Sequence, residues 1–255
     1  MPAPENIRVS VCMAAYRGEA YIKEQIDSIL AELGPDDELI VVDDASGDGT
    51  AGIVEAFTGD ARVRLVRNEH NMGYVRTFNR AVGLARGKYL FLSDQDDVWM
   101  PGRVQRMLHA LQDSAVVATN FAILGQDGSG KRTVLRSRDS THNIRNIFAV
   151  LVGYRPYFGC GMAIRADALD LFAPVPSFVF ESHDLWLALT ANASGQMVHL
   201  DEPTLYRRLH DNNVTPSTRR PLAKILRARI MAFRMLGEAL RRRSANPGIR
   251  RRPGF

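Results

Sequence analysis

Short apolar runs alternate with amphipathic stretches through the first half of the chain. Residues 7–13, apolar but for Arg8 and Ser10, predict a buried strand. Residues 19–33 repeat at helical spacing, with Ile22, Ile26, Ile29, Leu30 and Leu33 on one face, until Gly34-Pro35 ends the pattern. The short β-branched run 39–42 predicts a second strand. The same rhythm then gives a helix over 50–57, a strand over 63–66, a helix over 74–85 and a strand over 89–92. A helix from about 101 to 111 and a strand over 116–119 follow. Alternation of this kind implies a mostly parallel sheet with helices on both faces. Ligands of such sheets bind beyond the carboxyl ends of the strands.

After residue 120 the rhythm loosens. The Gly-rich turn 125–130 between apolar flanks predicts a hairpin. A strand over 161–165, a helix over 182–193 and two short strands, 198–200 and 204–209, separated by Pro203, are expected next. A last helix spans 221–240, with Leu222, Ile225, Leu226, Phe233, Leu236 and Leu240 near one stripe. The Pro/Gly/Arg-rich stretch 244–255 reads as a frayed end. No repeat of 20–50 residues is present.

Composition adds exclusions. A chain of 255 residues can bury a core without disulfides or metal staples, and 45% hydrophobic with 24% charged residues excludes collagen-like, coiled-coil and wholly disordered chains. No apolar run is long enough to span a bilayer, and residues 1–6 lack a basic region followed by an apolar one, so the cytoplasm is the expected compartment. Cys12 and Cys160 are too few for a disulfide framework or a zinc site. The net charge of +5 is unevenly placed. Residues 207–255 hold 14 basic and 2 acidic residues, net +12, whereas residues 1–206 carry net −7. A basic tail suits a phosphate-bearing partner such as nucleic acid, anionic lipid or a polyanionic carrier; a solvated face without a partner is the alternative.

The aspartates carry the chemistry. Asp43-Asp44 directly follow the second strand, and Asp94, Asp96 and Asp97 directly follow the fourth. Carboxylates crowded at one sheet edge repel, and a cation or donor-rich ligand relieves that repulsion. Oxygen ligands suit Mg²⁺ or Mn²⁺, whose shells are completed by substrate phosphates. Capping of a turn by Asp43, or of the helix near Pro101 by Asp97, accounts for one residue at each site only.

Four motifs occur in order: Ser10 to Gly18, Val41 to Thr50, Asn71-Met72-Gly73 with Asn79-Arg80-Ala81, and Ser93-Asp94-Gln95-Asp96-Asp97-Val98-Trp99. Together they resemble family 2 glycosyltransferases with the GT-A fold, over about residues 7–210. The resemblance implies a Rossmann-like, mostly parallel sheet flanked by helices, with a C-terminal helical extension. It implies a catalytic unit over 1–215, split into a nucleotide-sugar half (about 1–120) and an acceptor half (121–215), followed by a basic amphipathic helix and tail over 216–255. Ala14, Ala15 and Tyr16 would cradle the nucleotide, with Gly73 and Gln95 beside it and Tyr16 stacking on the base. Asp44 would accept the pyrimidine N–H, Asp94 would face the ribose, and Asp96 would hold the metal on the donor diphosphate. The stretch 93–99 is most similar to members that use dTDP-rhamnose, and Trp99 falls within it as a phosphate or acceptor contact.

In the second half, Glu181 to Trp186 resembles the family segment in which an Asp faces the acceptor. Asp184 is therefore the expected general base, with an N-cap as its structural alternative and His183 either an acceptor contact or a structural hydrogen-bonder. Tyr206 to Asn213 resembles a Tyr-Arg-x-His-x-x-Asn segment when Arg208 is the aligned arginine. Arg208 would then bind phosphate, and His210 would complete the metal shell or touch the diphosphate. The resemblance implies an inverting, Mn²⁺- or Mg²⁺-dependent transfer from dTDP-rhamnose or a UDP-sugar to a saccharide or lipid-linked saccharide. Polysaccharide or O-antigen assembly is the expected setting, on the cytoplasmic side, with the tail helix either at an anionic membrane surface or packed on the body by its apolar stripe with only the arginines exposed; nucleic acid is not an expected partner. The rivals are a sugar-nucleotide-forming nucleotidyltransferase, which usually has a Gly-rich basic loop where this chain has residues 14–18, and a non-catalytic nucleotide-sugar-binding module. A dinucleotide oxidoreductase is disfavoured because G-x-G-x-x-G is missing after the first strand.

Overall fold

The computed structural model of the chain describes residues 6–125, 135–155, 157–210 and 221–249. Its strands are β1 (Val9–Ala15), β2 (Asp37–Asp43), β3 (Val63–Arg67), β4 (Tyr89–Ser93), β5 (Val98–Trp99), β6 (Val116–Ile123), β7 (Met162–Arg165) and β8 (Met197–Arg207). They form one sheet in the order β3-β2-β1-β4-β7-β6-β8-β5. β1 is parallel to β2 and β4, β2 to β3, and β6 to β8. β7 runs antiparallel to β4 and β6, and β5 antiparallel to β8. The mostly parallel sheet expected from the apolar rhythm is present.

The helices are α1 (Ile22–Leu30), α2 (Thr50–Glu55), α3 (Tyr74–Leu84), α4 (Arg103–Ala110), α5 (Asn143–Leu151), α6 (Leu169–Phe172), α7 (His183–Ala193) and α8 (Leu222–Ala245). Every residue of β2, and all of β1 but the partly buried Ala14, is buried, which is why these strands read as continuous apolar runs. Successive side chains alternate between two cores. Val9, Val11 and Met13 meet Ile22, Ile26 and Ile29 of α1 and Met107 of α4, whereas Cys12, Ile40 and Val42 meet Phe78 of α3 and the α7 side. Each fully buried side chain of this size contributes roughly 1.5–3 kcal/mol. The register pairs Ala15 with Asp43 and Met13 with Ser93, so β1 and β2 end level and β4 stops two residues short of them at the same edge.

Several elements depart from the sequence reading. The two short strands around Pro203 are one strand, β8. Pro203 lies opposite Asn120, where the β6–β8 register shifts. A residue without an N–H is tolerated at such an irregularity. Asn120 also donates to the carbonyls of Leu200 (3.1 Å) and Asp201 (2.8 Å) there. α5 is an element the apolar pattern does not reveal, because its buried face includes Asn146 while Ile144 and Phe148 face out. Residues 126–134 of the expected hairpin and residues 250–255 of the expected frayed end lie outside the described residues, and α8 continues to Ala245.

α8 packs on the body, but of the predicted stripe Leu236 packs against the core while the larger exposed side chains do not. Met231, Ala232, Met235 and Ala239 join the core, whereas Leu226 and Phe233 are about 60% exposed (62% and 61%). Among the described residues, no helix is long and apolar enough to cross a membrane.

Candidate active site

The β1 and β4 ends are stitched together by Gln95. Its amide accepts from the Tyr16 backbone N–H (2.7 Å) and donates to the Tyr16 carbonyl (2.8 Å). Gly18 lies so close that a Cβ there would fall 2.4 Å from Gln95 Oε1. At the β2 end, Asp43 accepts from the Ser46 N–H and hydroxyl and so holds its own turn. Asp44 is buried and accepts from Asn68 Nδ2 (2.6 Å) and from the backbone N–H groups of Met72 and Gly73 (2.9 Å each). It thereby anchors the loop that starts α3. Gly73 has φ +82°, a conformation that residues with a Cβ rarely adopt.

Beyond β4, carboxylate oxygens of Asp94 and Asp97 and the Cys160 sulfur lie within 4.8 Å of one another. Asp97 is buried, and its Oδ2 has no partner among the described residues. Burial, reinforced by Asp96, pushes Asp97 up to about 6. Burial and then the charges of Asp97 and Asp96 push Asp94 well above the usual carboxylate range. Arg207 offsets these shifts only in part, so the cluster stays short of positive charge, a condition that a hard divalent cation corrects. Burial, then the same aspartates, raises the Cys160 thiol, so it stays protonated and is a poor ligand for such an ion. Asp96 Oδ2 lies 2.7 Å from His210 Nε2, and the His210 ring stacks on Tyr21 with centroids 4.8 Å apart. The carboxylates of Asp94 and Asp97 suit a hard divalent cation by their chemistry, and the expected pair Asp96 and His210 lines the same cleft, bonded to each other.

The opposite wall is the start of α7. Ser182 takes the left-handed conformation (φ 59°), and its N–H donates to Tyr74 Oη (2.8 Å). Asp184 accepts from the Leu185 N–H (2.8 Å). Burial pushes its carboxyl up to about 6, partly offset by that N–H and by Arg207. His183 stacks on Phe78 at 4.4 Å and meets Tyr74 edge-on at 5.7 Å. Neither of its ring nitrogens has a hydrogen-bond partner among the described residues, and burial lowers the ring to about 4, so it is neutral at pH 7. Among the described residues, the non-glycine positions with positive φ are Arg17, Ala45 and Ser182, and each flanks a cleft residue: Tyr16, Asp44 or His183. Strain of roughly 1–3 kcal/mol at such positions persists where the surroundings hold a functional geometry.

The model of the glycosyl transferase family 2 matches residues 10–172. The chain belongs to this family. Among curated proteins, it is 33% identical over 191 residues to the UDP-Glc:alpha-D-GlcNAc-diphosphoundecaprenol beta-1,3-glucosyltransferase WfgD of Escherichia coli, covering 72% of this chain and 70% of that one. It is 34% identical over 126 residues to the succinoglycan biosynthesis protein ExoO of Rhizobium meliloti, covering 49% of this chain and 36% of ExoO. The chain spans about half the length of several curated relatives it matches, with 49% and 52% in two cases. The fold is shared with S. aureus TarS in complex with UDP-GlcNAc (TM-score 0.65, 18% identity, 94% of this chain and 73% of that chain). It is also shared with the mannosyltransferase PcManGT from Pyrobaculum calidifontis in complex with GDP-Man and Mn²⁺ (TM-score 0.61, 16% identity, 98% and 78%).

The family 2 cleft has a volume of about 1070 Å³. The structure brings Ala14, Ala15, Tyr16, Asp44, Gly73, Asp94, Gln95 and Asp96 into it, and His183, Asp184 and His210 as well. Two expected contacts lie elsewhere. Trp99 is buried in the core, 5.9 Å from the Phe91 ring and under the Arg103 guanidinium, because β5 turns it inward against β8. Arg208 packs behind the lining residues: it lies over the Tyr21 ring at 4.9 Å, its Nη2 pairs with Glu24 (2.5 Å) and its Nε donates to the Asp96 carbonyl (3.2 Å). It holds the acidic loop in place. The side chain that does line the cleft is Arg207, over the Phe158 ring at 4.6 Å. Strand alternation gives the signal that motif spacing missed, since Arg207 has the parity of the buried Leu205. Lys224 and Arg227 of α8 also line the cleft.

Proposed function

We propose that the chain transfers a sugar from a uridine- or thymidine-diphosphate donor to an acceptor hydroxyl, with inversion at the anomeric carbon. One observation carries this reading: aspartates that follow two parallel strands line one cleft together with Asp184 at the start of α7. The Tyr16 ring, 40% exposed in the cleft, stacks on the nucleobase. Asp44 Oδ2 takes the Gly73 N–H and retains acceptor capacity for a pyrimidine N–H. Asp96 and His210, beside Asp94, hold Mn²⁺ or Mg²⁺; when bound, the ion stabilises the leaving diphosphate as a Lewis acid. Arg207, Lys224 and Arg227 add positive charge along the same cleft.

Asp184 takes the proton of the acceptor hydroxyl. A carboxyl titrating near 6 is ionised at neutral pH yet basic enough to accept a proton in the transition state. A single carboxylate opposite the leaving group serves one displacement, hence inversion. The names of the relatives favour polysaccharide assembly and an acceptor of the lipid-diphosphate-saccharide kind. Rhamnose as the donor sugar rests on the stretch 93–99.

The test is a thermal-shift panel of UDP- and dTDP-sugars with and without Mn²⁺, followed by NMR of the product anomer. The reading expects a donor shift that needs the metal, and a product of opposite anomeric configuration. No shift with either nucleotide, or retention, refutes it.

A further inference from the structure

We propose that the outward face of α5 and α8 seats on an anionic lipid bilayer beside the cleft mouth. Large apolar side chains are exposed here in two stripes. On α5 and its C-terminal turn, Ile144, Phe148 and Val152 are 85%, 65% and 50% exposed and recur every fourth residue, along one side of the helix. On α8, Leu226, Ile230 and Phe233 are 62%, 54% and 61% exposed and share one face. Arg229 joins the stripes, because its Nη2 donates to the Val152 carbonyl (3.0 Å) at the end of α5. A contiguous apolar surface of this kind marks an interaction site.

Charge selects the occupant. α8 carries seven basic residues and one acid, Glu238, whose carboxylate is already paired with Arg241 and Arg242 at 2.7 and 2.9 Å; Arg242 and Arg243 reach back to carbonyls of the body and Lys224 and Arg227 line the cleft, so Arg229, Arg234 and Arg241 are the cations that flank the stripe. The charged residue within α5 is the exposed Arg145. A second copy would set one basic face against another. A bilayer with anionic headgroups takes the apolar stripes among its acyl chains and the cations at its surface.

Position ties the face to the site. Pro221, Lys224 and Arg227, from the start of α8, line the cleft, as does Phe180, which is 64% exposed. A lipid-linked acceptor held in the bilayer would reach the cleft from this side. That last step rests on the transfer reading above; the membrane contact does not.

The experiment is flotation of the full 255-residue chain with phosphatidylcholine vesicles, with and without phosphatidylglycerol. The comparison is with the double variant Phe148→Ser, Phe233→Ser, with melting temperature and the donor-dependent thermal shift recorded for both. The expected result is flotation with the anionic vesicles only, weakened about tenfold or more in the variant, with melting and donor shift unchanged. A chain that does not float, or a variant that floats equally well, overturns the proposal. So does a dimer in vesicle-free solution that the double variant converts to monomer, since the face then serves self-association. Loss of the donor shift in the unaltered chain, with flotation intact, would instead reject the transfer reading and leave this one standing.

Discussion

Replacing Asp184 by Asn separates the two consequences of placing a carboxyl in this cleft. The folded protein holds the group at about 6, and the unfolded chain holds an aspartate at about 3.9. Because the folded value is the higher, ionisation favours the unfolded chain. This group's share of stability is therefore complete below about pH 4, falls as pH rises towards 6, and is lost above it. A shift of about two units corresponds to at most ~3 kcal/mol, and access of solvent from the cleft reduces this to ~1–2 kcal/mol. The Asn variant cannot ionise and keeps an oxygen for the Leu185 N–H. It should melt with the native chain at pH 4 and roughly 3–6 °C above it at pH 8. Transfer should fall by about 10²–10⁴-fold while donor binding persists. Scanning fluorimetry at the two pH values, a transfer assay and a donor titration measure all three. Equal melting at both pH values, or donor binding lost along with transfer, would refute the reasoning.

Two further outcomes follow from the site. Asp96→Ala should abolish the Mn²⁺-dependent part of the donor thermal shift, a shift worth ~2.7 kcal/mol at a hundredfold excess over Kd; an unchanged metal dependence would move the ion elsewhere. Arg207→Gln should weaken donor or acceptor binding by about tenfold with little change in melting, whereas Arg208→Gln should chiefly lower the melting temperature by freeing the 94–97 loop from Glu24; the reverse pattern, read by titration and fluorimetry, would restore Arg208 as the phosphate ligand.

The parallel half of the fold was legible because the buried centres of strands such as β2 and β4 are apolar on both faces, and the acidic clusters that follow these two strands interrupt the runs abruptly. Rules of local pattern fail where tertiary contacts reverse them. α5 buries Asn146 against Asn192 and Arg155 and turns Ile144 and Phe148 outward while Ile147 packs inward, so periodicity points the wrong way. Pro203 breaks the apolar run, yet the strand continues because the neighbouring β6 shifts register opposite it. Trp99 follows the acidic motif in sequence, but pairing of β5 with β8 decides its direction, and no local signal reports a partner about a hundred residues away. Motif spacing chose Arg208, and strand parity chose its neighbour.

The last helix is commonly the part of a chain removed first when an attachment to a surface is in question. Here such a truncation would be uninformative. Cutting before Pro221 deletes Lys224 and Arg227 from the cleft wall and Met231, Ala232, Met235 and Ala239 from the interior in one stroke. Catalysis, folding and any adhesion would fail together, and their causes could not be told apart. Single exchanges on the outward stripe leave wall and interior whole, so they are the informative perturbation.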